Sequence, residues 1–188
     1  MKTSIKHRCS QGMTLIEVLV TIVILAIGLL GVAGLQSRLQ VSEVESYQRA
    51  QALILLDDMA NRLASNRQGA TSYETATPLG SGMACPTAKA SRQEIDSLEW
   101  CQALQGAGEK ISENSVGALI GGRGCVEESP AGSGRFLITV AWQGLTPLAA
   151  PPASVSCGAN SYNGPDGSAC VNDLCRRVVT TVVRFSTL

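Results

Sequence analysis

Between Met13 and Leu35 only three side chains are polar, Thr14, Glu17 and Thr21, and Glu17 is the one that ionises. A carboxylate inside so apolar a run is costly and marks a functional position. It can stay near an interface, take up a proton or find a cation. Gly12 stands immediately before the run, at the end of a leader that holds Lys2, Lys6 and Arg8 and no acid. Cysteine is the second reactive set. Cys9 lies in the leader, and Cys85, Cys101, Cys125, Cys157, Cys170 and Cys175 all follow the apolar run. An even set of cysteines in an oxidising compartment forms disulfides, which are preferred here to a cysteine-only zinc site. The residues leave the pairing open, with a preference for Cys85–Cys101.

Other chemistry is poorly supplied. The one histidine, His7, is in the leader, so the rest of the chain has no Ser–His or Cys–His pair and no histidine metal ligand. No CxxC occurs; Cys170 and Cys175 are the closest pair, with four residues between them. Asn160, Asn163, Asp166 and Asp173 do not fit a calcium loop and read as a solvated polar turn. "GALIGGRG", residues 117–124, is glycine-rich but lacks the lysine and the following helix of a phosphate loop. Catalysis, a metal and a cofactor are therefore not expected. The formal net charge of zero gives no reason to expect nucleic acid.

The elements that must position these residues can be read in order. From Val18 to Ser37 no residue is charged, a run of 20. A helix needs about 20 apolar residues to cross the hydrocarbon core. The basic side precedes the span, which places residues 1–12 in the cytoplasm and the chain beyond the span outside. The run is too long for a secretory signal, and no clear small-residue cleavage site follows it. No proline occurs from Thr14 to Gln68, and Ala52, Leu55, Leu56, Met59 and Leu63 form an amphipathic stripe. One helix from Thr14 to Gln68 is expected, about 80 Å long, with a mostly polar face between Ser42 and Gln51 and Gly69 as its stop. Gly28, Gly31 and Gly34 serve either close helix packing or local unwinding.

After the helix, residues 69–90 read as loop, and Ser91 with Glu94 makes a capping box for a short helix ended by Gly106. Strands are expected at residues 124–129, 135–142 and 176–185. The segment 143–175 is a long loop with three cysteines as its staple. The expected fold class is α+β: a long N-terminal helix packed on a small antiparallel sheet, with a disulfide-stapled C-terminal loop region. The division is 1–12 leader, 13–35 transmembrane half, 36–68 amphipathic half and 69–188 globular domain.

Gly12 followed by Met13-Thr14-Leu15-Ile16-Glu17 and an apolar helix resembles the processing site of type IV prepilins. The resemblance covers roughly the first 40 residues. It implies cleavage by a prepilin peptidase between Gly12 and Met13, N-methylation of Met13, and an assembly role for Glu17 as the fifth residue of the mature chain. Met13 replaces the family's usual phenylalanine, and Gly34 stands where major pilins often carry proline. "EWCQAL", "GRGCV", "ITVAWQG" and "CRRVVTTVVRF" look most like the PilV-type minor pilins of Gram-negative bacteria. What this implies is a non-enzymatic subunit that leaves the inner membrane for a pilus. Its partners would be the peptidase, other minor pilins, the major pilin and a tip adhesin. A pseudopilin of a type II secretion system is the nearest alternative, and a membrane-anchored periplasmic binding domain the next. The exposed part of loop 143–175 is the expected partner surface.

Overall fold

A computed structural model describes residues 13–106, 110–111, 114–115 and 119–185. The chain divides into two compact units, Met1–Ser42 and Glu43–Leu188. Helix α1, Leu15–Ser65, runs through the boundary. In the first unit every described side chain up to Gln40 is exposed in the single chain. Its most apolar 18-residue window has a mean hydropathy of 2.8, long and apolar enough to cross a membrane.

The second unit is built around one stripe of α1. Gln48, Ala52, Leu56, Met59 and Leu63 are buried at the three- and four-residue spacing of a helix face. Gln48 corrects the expected polar face between Ser42 and Gln51: it is 2% exposed and heads the stripe. Helix α1 stops at Ser65, before the expected Gln68, and Gly69 is not a left-handed stop. Instead a 3-10 turn over Arg67–Tyr73 carries Ala70 and Tyr73 into the core, with Gly69 at φ −101°. The tighter winding brings both side chains inward three residues apart, which an α-helical continuation would splay.

Short strand β1, Leu79–Gly80, precedes helix α2, Arg92–Leu104. The capping box forms as its sequence requires: Ser91 accepts from the Glu94 N–H at 3.2 Å, and Glu94 accepts from the Ser91 N–H at 3.0 Å. Gly106, at φ +82°, follows the last turn. Strands β2, Lys110–Ile111, and β3, Asn114–Ser115, make a small separate hairpin. The main sheet adds β4, Arg123–Glu128, β5, Arg135–Gln143, and β6, Arg176–Arg184, in the order β1-β4-β5-β6, all antiparallel.

One face of this sheet meets α1 and α2. Phe136, Ile138, Val140 and Trp142 of β5 and Val126 of β4 share a core with the α1 stripe, Tyr73, Trp100 and Leu104. Trp100 donates its indole N–H to the Leu55 carbonyl at 2.9 Å, satisfying the one polar group of a fully buried ring. Gly124 is where this ring meets the sheet. A Cβ there would lie 2.2 Å from the Trp100 ring.

The second face is covered by the 143–175 loop. Cys125, Ala141, Cys157 and Tyr162 form a smaller core with Val178. Strand β5 is therefore buried on both faces along Ile138–Trp142, where alternation alone suggests one. Gly124→Ala should lower unfolding free energy by about 1–3 kcal/mol through overpacking against Trp100. Denaturant melts of the full chain in detergent, followed by tryptophan fluorescence, measure the loss. Joint replacement of Cys125 and Cys157 by serine should cost about 4 kcal/mol, from a loop separation of 32 residues. The same melt, run with and without reductant, reads it out.

Candidate functional site

At the start of α1 the backbone N–H groups of Glu17 and Val18 both donate to the Thr14 carbonyl, at 3.1 and 3.3 Å. Glu17 thus sits in the first helical turn, where the positive end of the helix dipole favours a carboxylate. It is exposed and has no ion-pair partner among the described residues. Thr21 returns its hydroxyl to the Val18 carbonyl at 2.8 Å and so needs no external partner. Met13, Leu15 and Ile16 are 71%, 85% and 71% exposed. A Cβ at Gly28, Gly31 or Gly34 would meet nothing within 4 Å, so no contact inside the single chain requires these glycines. Gly12, Cys9 and the rest of the leader lie outside the described residues.

The structure pairs the six later cysteines as Cys85–Cys101, Cys125–Cys157 and Cys170–Cys175. Cys85–Cys101 fastens the loop before α2 to that helix. Cys125–Cys157 ties the long loop to β4. Cys170–Cys175 closes a small turn just before β6. The Asn–Asp cluster has an internal use. Asp173 accepts from the Asn160 N–H at 2.7 Å, Asn163 accepts from the Asp173 N–H at 2.8 Å, and Asp173 pairs with Arg176 at 3.1 Å. Arg176 is 3% exposed and also donates to the Val155 and Cys157 carbonyls, at 2.7 and 3.1 Å. Its Nε faces Asp173 closely enough for an ion pair but off the hydrogen-bond direction. No group of three or more potential metal ligands occurs among the described residues. Of "GALIGGRG", the described glycines are Gly121, at φ +64° beside the Tyr162 ring, and Gly122 and Gly124, which crowd against Leu104 and Trp100, so they serve turning and packing.

Residue reasoning missed two polar junctions. In the first, Arg62 of α1 donates to Asp58 at 3.0 Å, Asp96 at 2.8 Å and Glu99 at 2.6 Å. Arg92 adds a second cation on Asp96 at 2.8 Å, and the Tyr73 hydroxyl donates to Asp96 at 2.6 Å. Asp96 is 1% exposed. Burial alone would raise its pKa, but the Tyr73 hydroxyl and the two guanidiniums outweigh burial and hold it below the ordinary carboxylate range. Burial and the Asp96 hydrogen bond push the Tyr73 phenol up to about 12. The pairs Asp58–Arg62 and Arg92–Asp96 have helical i,i+4 spacing, a signal present in the sequence. Their joining is tertiary. In the second junction, Glu45 accepts from the Leu145 and Thr146 N–H groups at 3.1 and 3.3 Å and faces Arg177 at 3.4 Å. It fastens the start of the long loop to α1.

These junctions are structural: among the described residues they hold no nucleophile–base pair and no metal ligand set. The chemistry therefore returns to the N-terminus. Residues 7–33 match the prokaryotic N-terminal methylation motif. The match supports a type IV prepilin-like protein, and its span includes Gly12, Met13 and Glu17. The apolar helix, the antiparallel four-stranded sheet and the C-terminal disulfides are consistent with a type IV pilin-like α+β fold. No curated protein and no solved structure matches the chain. Prepilin-like proteins are structural subunits, and their apolar helix is consistent with membrane anchoring.

Asp96 fixes a pH window for the second unit. A depressed folded pKa gives stability that is present above the unfolded value, about 4, and is lost as pH falls through the folded one. The raised phenol of Tyr73 gives stability complete below its unfolded value, about 10, and lost as pH rises toward about 12. Stability from this network should be flat between those limits and fall on both sides. Asp96→Asn should cost about 2 kcal/mol at neutral pH and flatten the acid limb. Urea titrations from pH 3 to 12 test both expectations.

Proposed function

We propose that the chain is the precursor of a minor type IV pilin. Its carrying observation is the methylation-motif match over residues 7–33, which spans the Gly12–Met13 junction and Glu17, a first-turn carboxylate with no ion-pair partner among the described residues. In this reading a prepilin peptidase cuts between Gly12 and Met13 and methylates the new amine. Residues 1–12 lie in the cytoplasm, the apolar half of α1 crosses the inner membrane once, and the disulfide-bonded unit lies in the periplasm.

The physical argument for assembly runs through Glu17. Glu17 has no ion-pair partner among the described residues, and in this reading a neighbouring subunit supplies one. Cleavage creates that group: the amine at Met13 of an adjacent copy or another pilin. Burial of the pair between helices penalises any arrangement that leaves either charge alone, which selects axial register. The exposed side chains of Met13–Gln40 then pass from lipid to a bundle of like helices. The resemblance to PilV-type chains extends the proposal to an initiating or tip complex with other minor pilins, the major pilin and a tip adhesin, supporting adhesion and twitching motility.

Intact-mass measurement tests processing. The chain from wild-type cells should lack residues 1–12 and carry an N-methyl group, and the chain from peptidase-deficient cells should keep its leader. An identical mass in the two strains rejects the reading. Glu17→Ala should still be cut but disappear from sheared surface filaments; full recovery of that variant on the surface would favour a simple membrane anchor. Loss of protein secretion with intact twitching after deletion would assign the chain to a type II secretion pseudopilus.

A further inference from the structure

Strand β6 is the long free edge of the main sheet. It is last in the order β1-β4-β5-β6, runs nine residues, and pairs with β5 along its whole length without a bulge. The opposite edge, β1, is two residues long. The Phe185 N–H donates to the Gly134 carbonyl and the Gly144 N–H to the Cys175 carbonyl, each at 2.8 Å. In an antiparallel ladder these directions alternate, so the odd residues of β6 face β5. The even residues Val178, Thr180, Val182 and Arg184 turn their N–H and C=O groups outward, and no described residue bonds them there.

Folded proteins guard such an edge by shortening it, bulging it, inserting proline or spacing charges along it. β6 uses none of these between Val178 and Val183, six consecutive β-branched residues. Its even side chains lie on the sheet face that the 143–175 loop covers, but the cover is incomplete. Arg176 is buried and Val178 half-buried, whereas Thr180, Val182 and Arg184 are exposed. Arg184 lies directly opposite Arg135 on β5, and Val182 opposite Leu137. Two like charges side by side on a sheet are unfavourable, and neither arginine has an acidic partner among the described residues.

We propose that β6 receives an extended segment of a partner protein as a fifth strand, with an acidic side chain beside Arg184 and an apolar one beside Val182. The period of two in a strand puts those side chains two residues apart on one face. Main-chain hydrogen bonds to the four outward residues supply adhesion, and the arginine pair supplies selection. Charge decides against a second copy as occupant, because the charged residues of β6 are all arginines, Arg176, Arg177 and Arg184. The inference rests on the sheet edge and stands apart from the pilus reading.

The test uses the full chain in detergent micelles and a fluorescent nine-residue peptide of alternating threonine and valine with one glutamate near its end. A second peptide carries lysine in place of the glutamate. Anisotropy titrations should show the glutamate peptide binding about tenfold more tightly, the size of a gained charge attraction plus an avoided repulsion. Arg184→Glu, which gives Arg135 a partner within the sheet, should remove that preference. Val182→Pro removes an outward N–H while leaving the β5 ladder intact, and should abolish binding of both peptides with the thermal melt unchanged. Equal binding of the two peptides to the unaltered chain overturns the proposal, as does undiminished binding by Val182→Pro. Disulfide formation between two Val182→Cys chains at the concentrations used would also overturn it, by making a second copy the occupant.

Discussion

The structure depends on the removal of one helix from water by two different routes. Residues 15–35 of α1 are apolar apart from Glu17 and Thr21, and no described residue covers them. Residues 48–63 of the same helix carry a stripe that β5 and α2 bury. The second half is satisfied by the fold itself; the first needs cover that no described residue supplies, and its length and hydropathy are consistent with a membrane anchor. A fully exposed leucine or isoleucine forgoes roughly 1.5–3 kcal/mol relative to burial, so the first half cannot remain in water. The second unit can form without solving that problem, a separation that the proposed passage from membrane precursor to subunit requires.

The second unit repeats the theme on a smaller scale. A sheet with one face on α1 would leave its second face wet, and at this size one core offers little stability. Here the long loop turns back over the second face and is closed covalently onto β4. The buried Arg176 then organises the loop from within, reaching two loop carbonyls and Asp173. The loop thus replaces a third layer of regular structure with cross-links and directed hydrogen bonds. Its cover ends before Thr180, which is why one sheet edge keeps an open corner beside Arg135 and Arg184.

Much of this was legible in the residues, because the signals were periodic or chemical. The stripe at Ala52, Leu56, Met59 and Leu63, the capping box at Ser91 and the β-branched run of β6 each follow from local physics, and each element sits where its pattern placed it. What stayed hidden was tertiary. Gln48 and Asp96 are polar residues at buried positions, which composition reads as surface. Tyr73 reaches the core because the chain after Ser65 winds more tightly than an α-helix, a change that Gly69 disguised as a stop. The second core over β5 depends on which loop cysteine meets Cys125, and spacing leaves that open.

The Cys125–Cys157 bridge also bears on length. Chain between two bonded cysteines cannot be drawn out by a pull applied outside them. With 32 residues of separation and a reach of about 3.3 Å per residue, the bridge withholds roughly 100 Å of contour. A domain hauled by its ends would therefore come taut early, and the strands β4 and β5 would stay next to each other in the stretched chain.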